Sequence, residues 1–207
     1  MRTVYAALAA LALACALTTE SQAITIGFDP VAGVVTVGDS FAVDVVVSGL
    51  PEAELGPEVV SAFDLDVLYD ATVLAAIDFQ FSDALGSIDI DALTSTWITP
   101  GRIDFASLSF LDTASLLSLQ SVEQLVLGRV LFDAIGIGSS LLTFDTATSP
   151  GAHLVGSDPF GALTLSDIGF AQISVVGPAS VPEPTTLWLM LSGVVLMAWS
   201  RRRPQGA

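Results

Sequence analysis

Residues 59–70 read Val-Val-Ser-Ala-Phe-Asp-Leu-Asp-Val-Leu-Tyr-Asp, an alternation of apolar and polar side chains with a period of two. In an extended strand that period puts Phe63, Leu65, Val67 and Tyr69 on one side and Asp64, Asp66 and Leu68 on the other. One side belongs in a core, and the other faces water or a partner. Residues 41–47 repeat the pattern with Phe41, Val43, Val45 and Val47, and 72–81 and 125–133 are further β-rich runs. Pro100-Gly101 supplies the turn of a hairpin between 95–99 and 102–109. Residues 112–124 are the one helical candidate, with Asp112 or Thr113 as N-cap and Leu116, Leu117 and Leu119 on the apolar side. About nine short strands at close spacing, without a repeat of fixed period, predict an all-β sandwich.

Both ends of the chain differ from this middle. Arg2 opens residues 1–23, an apolar run follows over 4–17, and Ser21-Gln22-Ala23 is a small-residue cleavage site. This is the pattern of a signal peptide and predicts a signal helix removed before Ile24. At the other end Pro182-Glu183-Pro184 is stiff and extended, because each proline fixes φ. An uncharged apolar run then leads to Arg201, Arg202 and Arg203, with Trp188 and Trp199 near its two ends. A transmembrane helix is expected over about 185–200, although roughly 16 residues reach only about 24 Å. The arginines would stay cytoplasmic, leaving the rest of the chain outside.

The tripeptide, the apolar run and the arginine triplet, in that order, resemble a PEP-CTERM sorting signal over residues 178–207. The resemblance implies processing by an exosortase, a membrane-embedded cysteine protease, so that the membrane helix would be transient. It also implies a Gram-negative bacterium and a final location at the cell surface or in the extracellular matrix.

About 155 residues remain between the two signals, enough for one domain with a sizeable core. Cys15 is the only cysteine, so this domain has no disulfide, thiol nucleophile or thiolate metal site. Lysine is absent, and Arg102 and Arg129 face twenty Asp and Glu between residues 24 and 179. Such a surface repels phosphate backbones and excludes nucleic-acid binding. Acidic excess suits a soluble exported protein, and it also offers oxygen ligands for calcium.

The strand order over 24–177 resembles a cohesin-type jelly-roll β-sandwich, the fold shared with some carbohydrate-binding modules. The residues carrying it are Val37-Gly38-Asp39 leading into 41–47, then 60–70 with Leu74. Further on, 102–107, 127–132 and 138–144 fit the same pattern. The resemblance implies a dockerin-like protein partner. The acidic insertion at 52–58 and the helical stretch at 112–124 depart from a compact cohesin.

Asp64, Asp66 and Asp70 form the candidate calcium set, yet the stretch lacks the central glycine and terminal glutamate of an EF-hand. A solvated strand face explains the same pattern and is preferred. Trp97 is the candidate for stacking on a sugar ring, with a core-edge aromatic as the preferred alternative. His153 is the only histidine, which excludes a multi-histidine metal site, and no Gly-x-Ser-x-Gly elbow accompanies it. No catalytic residue stands out. The expectation is a non-enzymatic binding module acting by protein–protein adhesion, with binding of exopolysaccharide as the alternative and a surface glycoside hydrolase as a more distant one.

Overall fold

A computed structural model of the chain describes residues 24–50, 52–53, 56–120, 123–147, 152–156, 161–178, 190, 192–194 and 197. The expected signal helix over 1–23, the Pro182-Glu183-Pro184 tripeptide and Arg201, Arg202 and Arg203 lie outside the described residues. The chain divides into two compact units, Met1–Val176 and Gly177–Ala207.

The first unit runs through β1 (Ile24–Asp29), β2 (Ala32–Thr36), β3 (Ser40–Ser48), β4 (Glu52–Ala53), β5 (Gly56–Pro57), β6 (Ala62–Leu68) and β7 (Leu74–Phe81). A 3₁₀ turn (Asp83–Leu85) leads to β8 (Ala92–Thr99) and β9 (Arg102–Ser109). Helix α1 (Thr113–Leu119) precedes β10 (Gln124–Ala134), β11 (Gly138–Phe144), β12 (Ala152–Val155), β13 (Leu165–Ile168) and β14 (Ala171–Val176). One sheet has five strands in the order β13-β1-β3-β10-β7. A second has the order β2-β14-β11-β6-β9-β8, with β12 also paired to β6, and β4 and β5 form a separate two-stranded sheet. Pairing is antiparallel apart from β1 with β13 and β14 with β2.

Two expectations about this architecture need correction. Fourteen strands, not about nine, are present among the described residues, because short pieces such as β2, β12 and β13 extend the sheet edges. The expected C-terminal transmembrane helix is not found: no helix among the described residues is long and apolar enough to cross a membrane. Met190, Ser192, Gly193, Val194 and Met197 are helical. Those five residues are all that is described of the expected stretch 185–200, whose roughly 16 residues would reach about 24 Å against a hydrocarbon core about 30 Å thick.

The alternation read in the sequence is what closes the sandwich. Phe63, Leu65, Val67 and Tyr69 are all buried, and Val43, Val45 and Val47 meet them from the opposite sheet. Aromatic rings bridge the two sheets at four places, Phe63 of β6 with Phe81 of β7 among them at 6.2 Å. Phe105 of β9 stacks on Phe79 of β7 with centroids 3.9 Å apart. Phe144 of β11 stacks on Phe28 of β1 at 4.5 Å, and Tyr69 meets Phe132 of β10 edge-on at 5.4 Å.

Local chemistry sets the element boundaries. At the β8–β9 turn Gly101 has φ +86°, a left-handed backbone that glycine adopts without steric cost. Asp70 ends the β6 run by accepting bonds from the Thr72 backbone N–H and hydroxyl at 2.8 and 2.7 Å. This turn delays β7 to Leu74. Asp112 caps α1 by accepting from the Ser115 N–H at 2.7 Å. The helix is shorter than the sequence suggests because Gln120 is drawn away. Its buried amide accepts from the Val60 N–H at 2.8 Å and donates to the Val60 carbonyl at 2.7 Å and the Ala84 carbonyl at 3.0 Å. Gln120 thereby occupies the Val60 backbone groups, and β6 begins only at Ala62.

Every buried hydrophobic residue among those described lies between Ile24 and Val175, so this stretch carries its own core. Residues 24–178 expressed alone are therefore expected to unfold in one cooperative urea transition. Phe105→Ala should cost that transition about 4 kcal/mol without changing its m value, because the ring is fully buried and stacked.

Candidate functional site on the outer sheet face

The period that buries Phe63, Leu65 and Val67 sends Asp64 and Asp66 to the outer face of the seven-stranded sheet. Strand register then builds rows across β6, β9 and β8. One row is Ala62, Leu108 and Leu93; the next is Asp64, Ala106 and Ser95. Then come Asp66, Asp104 and Trp97, followed by Leu68, Arg102 and Thr99. Strand β12 adds Val155 beside Ala62 and His153 beside Asp64.

The two ends of these rows differ in character. At one end a groove of about 500 Å³ has Ala62 and Ala106 as small floor residues and Leu93, Leu108, Val155 and His153 around them. Leu93 is 60% exposed and Leu108 46% exposed, an apolar surface that no other part of the described chain covers. Phe110, two residues past Leu108, is also exposed. Toward the other end stand Asp64, Asp66 and Asp104, with Trp97 directly across from Asp104.

Asp66 is buried despite lying on this outer face. The Arg102 guanidinium donates to it through Nε at 2.9 Å and Nη2 at 2.7 Å, a bidentate geometry that satisfies both oxygens. Asp145 stands 3.9 Å from Arg102 Nη1 and joins the same cluster. Asp66 holds the guanidinium more firmly protonated than usual. Asp64 is pushed above the usual carboxylate range by partial burial first, then by the like charges of Asp104 and Asp66, with His153 opposing. Asp104 is raised by partial burial and by Asp66, with Arg102 opposing.

The candidate calcium residues are placed apart in role. Asp66 is engaged by Arg102, Asp70 caps the turn at Thr72, and Asp64 lies beside His153. Among the described residues no group of three or more His, Cys, Asp or Glu side chains is placed to hold a metal ion. Trp97, for which a core-edge position was the preferred expectation, is 71% exposed instead. Its ring leaves the core because the neighbouring Ile98 takes the core-facing side of β8. Sequence reasoning missed the groove, whose walls come from β6, β8, β9 and β12. It also missed the Arg102 pairing, for which the scarcity of cations in the domain was the available signal.

Comparison with known proteins bears on both parts of the chain. Residues 180–203 match the model of the PEP-CTERM protein-sorting motif. No curated protein matches the chain by sequence. The described domain is similar in structure to the seventh ScaB type I cohesin of Pseudobacteroides cellulosolvens, with a TM-score of 0.56 and 17% identity over 77% of this chain and 96% of that one. It is also similar to the sixth cohesin of scaffoldin B of Acetivibrio cellulolyticus, whose structure is a complex with the Cel5 dockerin. There the TM-score is 0.53 and the identity 16%, over 74% of this chain and 99% of that one. CaCohA2 of Clostridium acetobutylicum gives a TM-score of 0.52 at 20% identity, over 80% of this chain and 97% of that one. At these identities the likeness establishes fold, and the chain joins a PEP-CTERM sorting motif to a cohesin-like β-sandwich.

The raised carboxylates carry a pH signature. Above their folded pKa values Asp64 and Asp104 are charged in both states, and the folded state bears the penalty of partly burying them and then of crowding them. As pH falls from the raised values toward 3.8 the folded protein takes up protons first and the penalty is lifted. Asp64→Asn and Asp104→Asn are therefore each expected to raise Tm slightly at neutral pH. The gain should vanish as pH approaches 3.8, as thermal melts across a pH series would show.

Proposed function

We propose that this chain is an exported, non-enzymatic adhesion module that binds a protein partner through the outer face of its seven-stranded sheet. The observation that carries the reading is the exposed apolar groove bounded by Leu93, Leu108 and Val155 on that face. A cohesin-like fold supports it, since one of the similar cohesins was solved in complex with a dockerin. The sorting motif at 180–203 supports exosortase-type processing and delivery to the cell surface or extracellular matrix of a Gram-negative bacterium. A dockerin-like protein is the kind of partner the fold suggests.

One observation favours a second reading. Trp97 exposes most of its ring beside Ser95, Thr99 and Asp104, an aromatic surface next to polar groups that suits stacking on a sugar of the exopolysaccharide. A single such ring gives a narrow platform, so protein adhesion is the stronger account.

The two readings separate in one experiment. Residues 24–178 are immobilised and exposed to the secreted proteins and polysaccharide of the host culture, alongside Leu108→Asp, Trp97→Ala and Ile77→Asp. Ile77 is exposed on β7 of the opposite sheet and controls for general surface change. Adhesion through the groove predicts a discrete retained protein, lost with Leu108→Asp and kept with Ile77→Asp. Polysaccharide retained without a protein, and lost with Trp97→Ala, would replace that reading with the carbohydrate one.

A further inference from the structure

The groove on the outer face selects its occupant by charge as well as by apolar shape. Its walls are Leu93, Leu108 and Val155, and Asp64 lies in its lining. Asp104 is the diagonal neighbour of Asp64 on the adjacent strand, about 7–8 Å away by sheet geometry. Asp66, directly opposite Asp104 and two residues from Asp64 on β6, is paired with Arg102. Asp64 and Asp104 therefore place two carboxylates beside an apolar trough, on neighbouring strands of one face. The groups facing the pair from the neighbouring strands are Asp66 on β6, Arg102 on β9 and His153 on β12, while β8 contributes Ser95 and Trp97 without charge.

A second copy of this domain has nothing to answer those carboxylates. The sequence has no lysine, and between residues 24 and 178 its only arginines are Arg102 and Arg129. Arg102 is held by Asp66, and Arg129 donates to both oxygens of Asp44 at 2.6 and 3.0 Å on the five-stranded sheet. Face-to-face pairing of two copies would oppose acid to acid, which costs rather than gains free energy.

Resting on the adhesion reading above, we propose that the occupant of this groove is a segment of a different protein that presents apolar side chains flanked by lysine or arginine. Leucine-sized side chains enter between Leu93, Leu108 and Val155, over the small floor of Ala62 and Ala106. The flanking cations reach Asp64 and Asp104, and Trp97 closes the acidic end with a ring face that also receives a cation. The same arrangement rejects acidic partners and copies of itself, so the face is selective as well as adhesive.

The test uses residues 24–178, in which Trp97 is the only tryptophan and so reports directly on this face. Three synthetic peptides of equal length serve as probes: one combining leucine and lysine, one with glutamate in place of lysine, and one with serine in place of leucine. Binding is followed by Trp97 fluorescence and by backbone amide NMR shifts. The expected result is saturable binding of the leucine–lysine peptide alone, with shifts confined to β6, β8, β9 and β12. The double variant Asp64→Asn/Asp104→Asn should weaken it about tenfold, equivalent to about 1.4 kcal/mol. Asp78→Asn/Asp167→Asn, which removes the same charge from the five-stranded sheet, should leave the affinity within about twofold. Equal weakening by both double variants would overturn the proposal, because the peptide would then be responding to overall acidity. So would binding of the glutamate peptide, binding of the serine peptide as tight as that of the leucine–lysine peptide, concentration-dependent dimerisation abolished by Leu108→Asp, or a Trp97 response to host polysaccharide alone. A native partner that is captured through Leu108 and proves acidic would sink this proposal while leaving the adhesion reading intact. Loss of every Leu108-dependent protein capture would instead sink the adhesion reading.

Discussion

The aromatic contacts between the sheets are the constraint on which the other features depend. Phe79 against Phe105, Phe28 against Phe144 and Tyr69 against Phe132 tie strands far apart in the chain across the sandwich. Each ring removes a large apolar area from water and adds a directional preference for its partner. Because Phe63, Leu65 and Val67 must face these rings, β6 has one allowed register; a one-residue slip would turn Asp64 and Asp66 into the core and the core side chains outward. The placement of the acidic outer face is thus a consequence of core packing.

That outer face is not built for stability. Arg102 pairs with Asp66, but Asp64 and Asp104 are partly buried and lie close to Asp66, and Leu93, Leu108 and Trp97 expose apolar area beside them. A surface selected only for solubility would intersperse charges of both signs and avoid such a patch. The combination costs free energy in the isolated domain, and a partner that supplies apolar and cationic groups recovers it on binding. The function proposed here and the local destabilisation are two descriptions of one arrangement.

The sorting motif and the β-sandwich occupy separate stretches of the chain. The motif matched at 180–203 concerns protein sorting and says nothing of a ligand. The β-sandwich carries its own core between Ile24 and Val175, so it can function wherever sorting delivers it.

The sequence by itself determined the sandwich, the buried faces of β3 and β6, the Pro100-Gly101 hairpin and the sorting motif. Each of these rests on short-range chemistry: a period of two, a turn dipeptide, a contiguous signal. It placed the Asp64 and Asp66 side chains on the outer face correctly, yet it could not tell that Asp66 would be claimed by Arg102, thirty-six residues away. Nor could it show that Gln120 would take the backbone of Val60 and shorten two elements at once. The exposure of Trp97 and the groove between Leu93, Leu108, Val155 and His153 were decided only by tertiary structure. The reason is that strand pairing, not sequence proximity, chooses which side chains become neighbours across a sheet. Residues on β6, β8, β9 and β12 meet in one site only after their registers are fixed by the core beneath them.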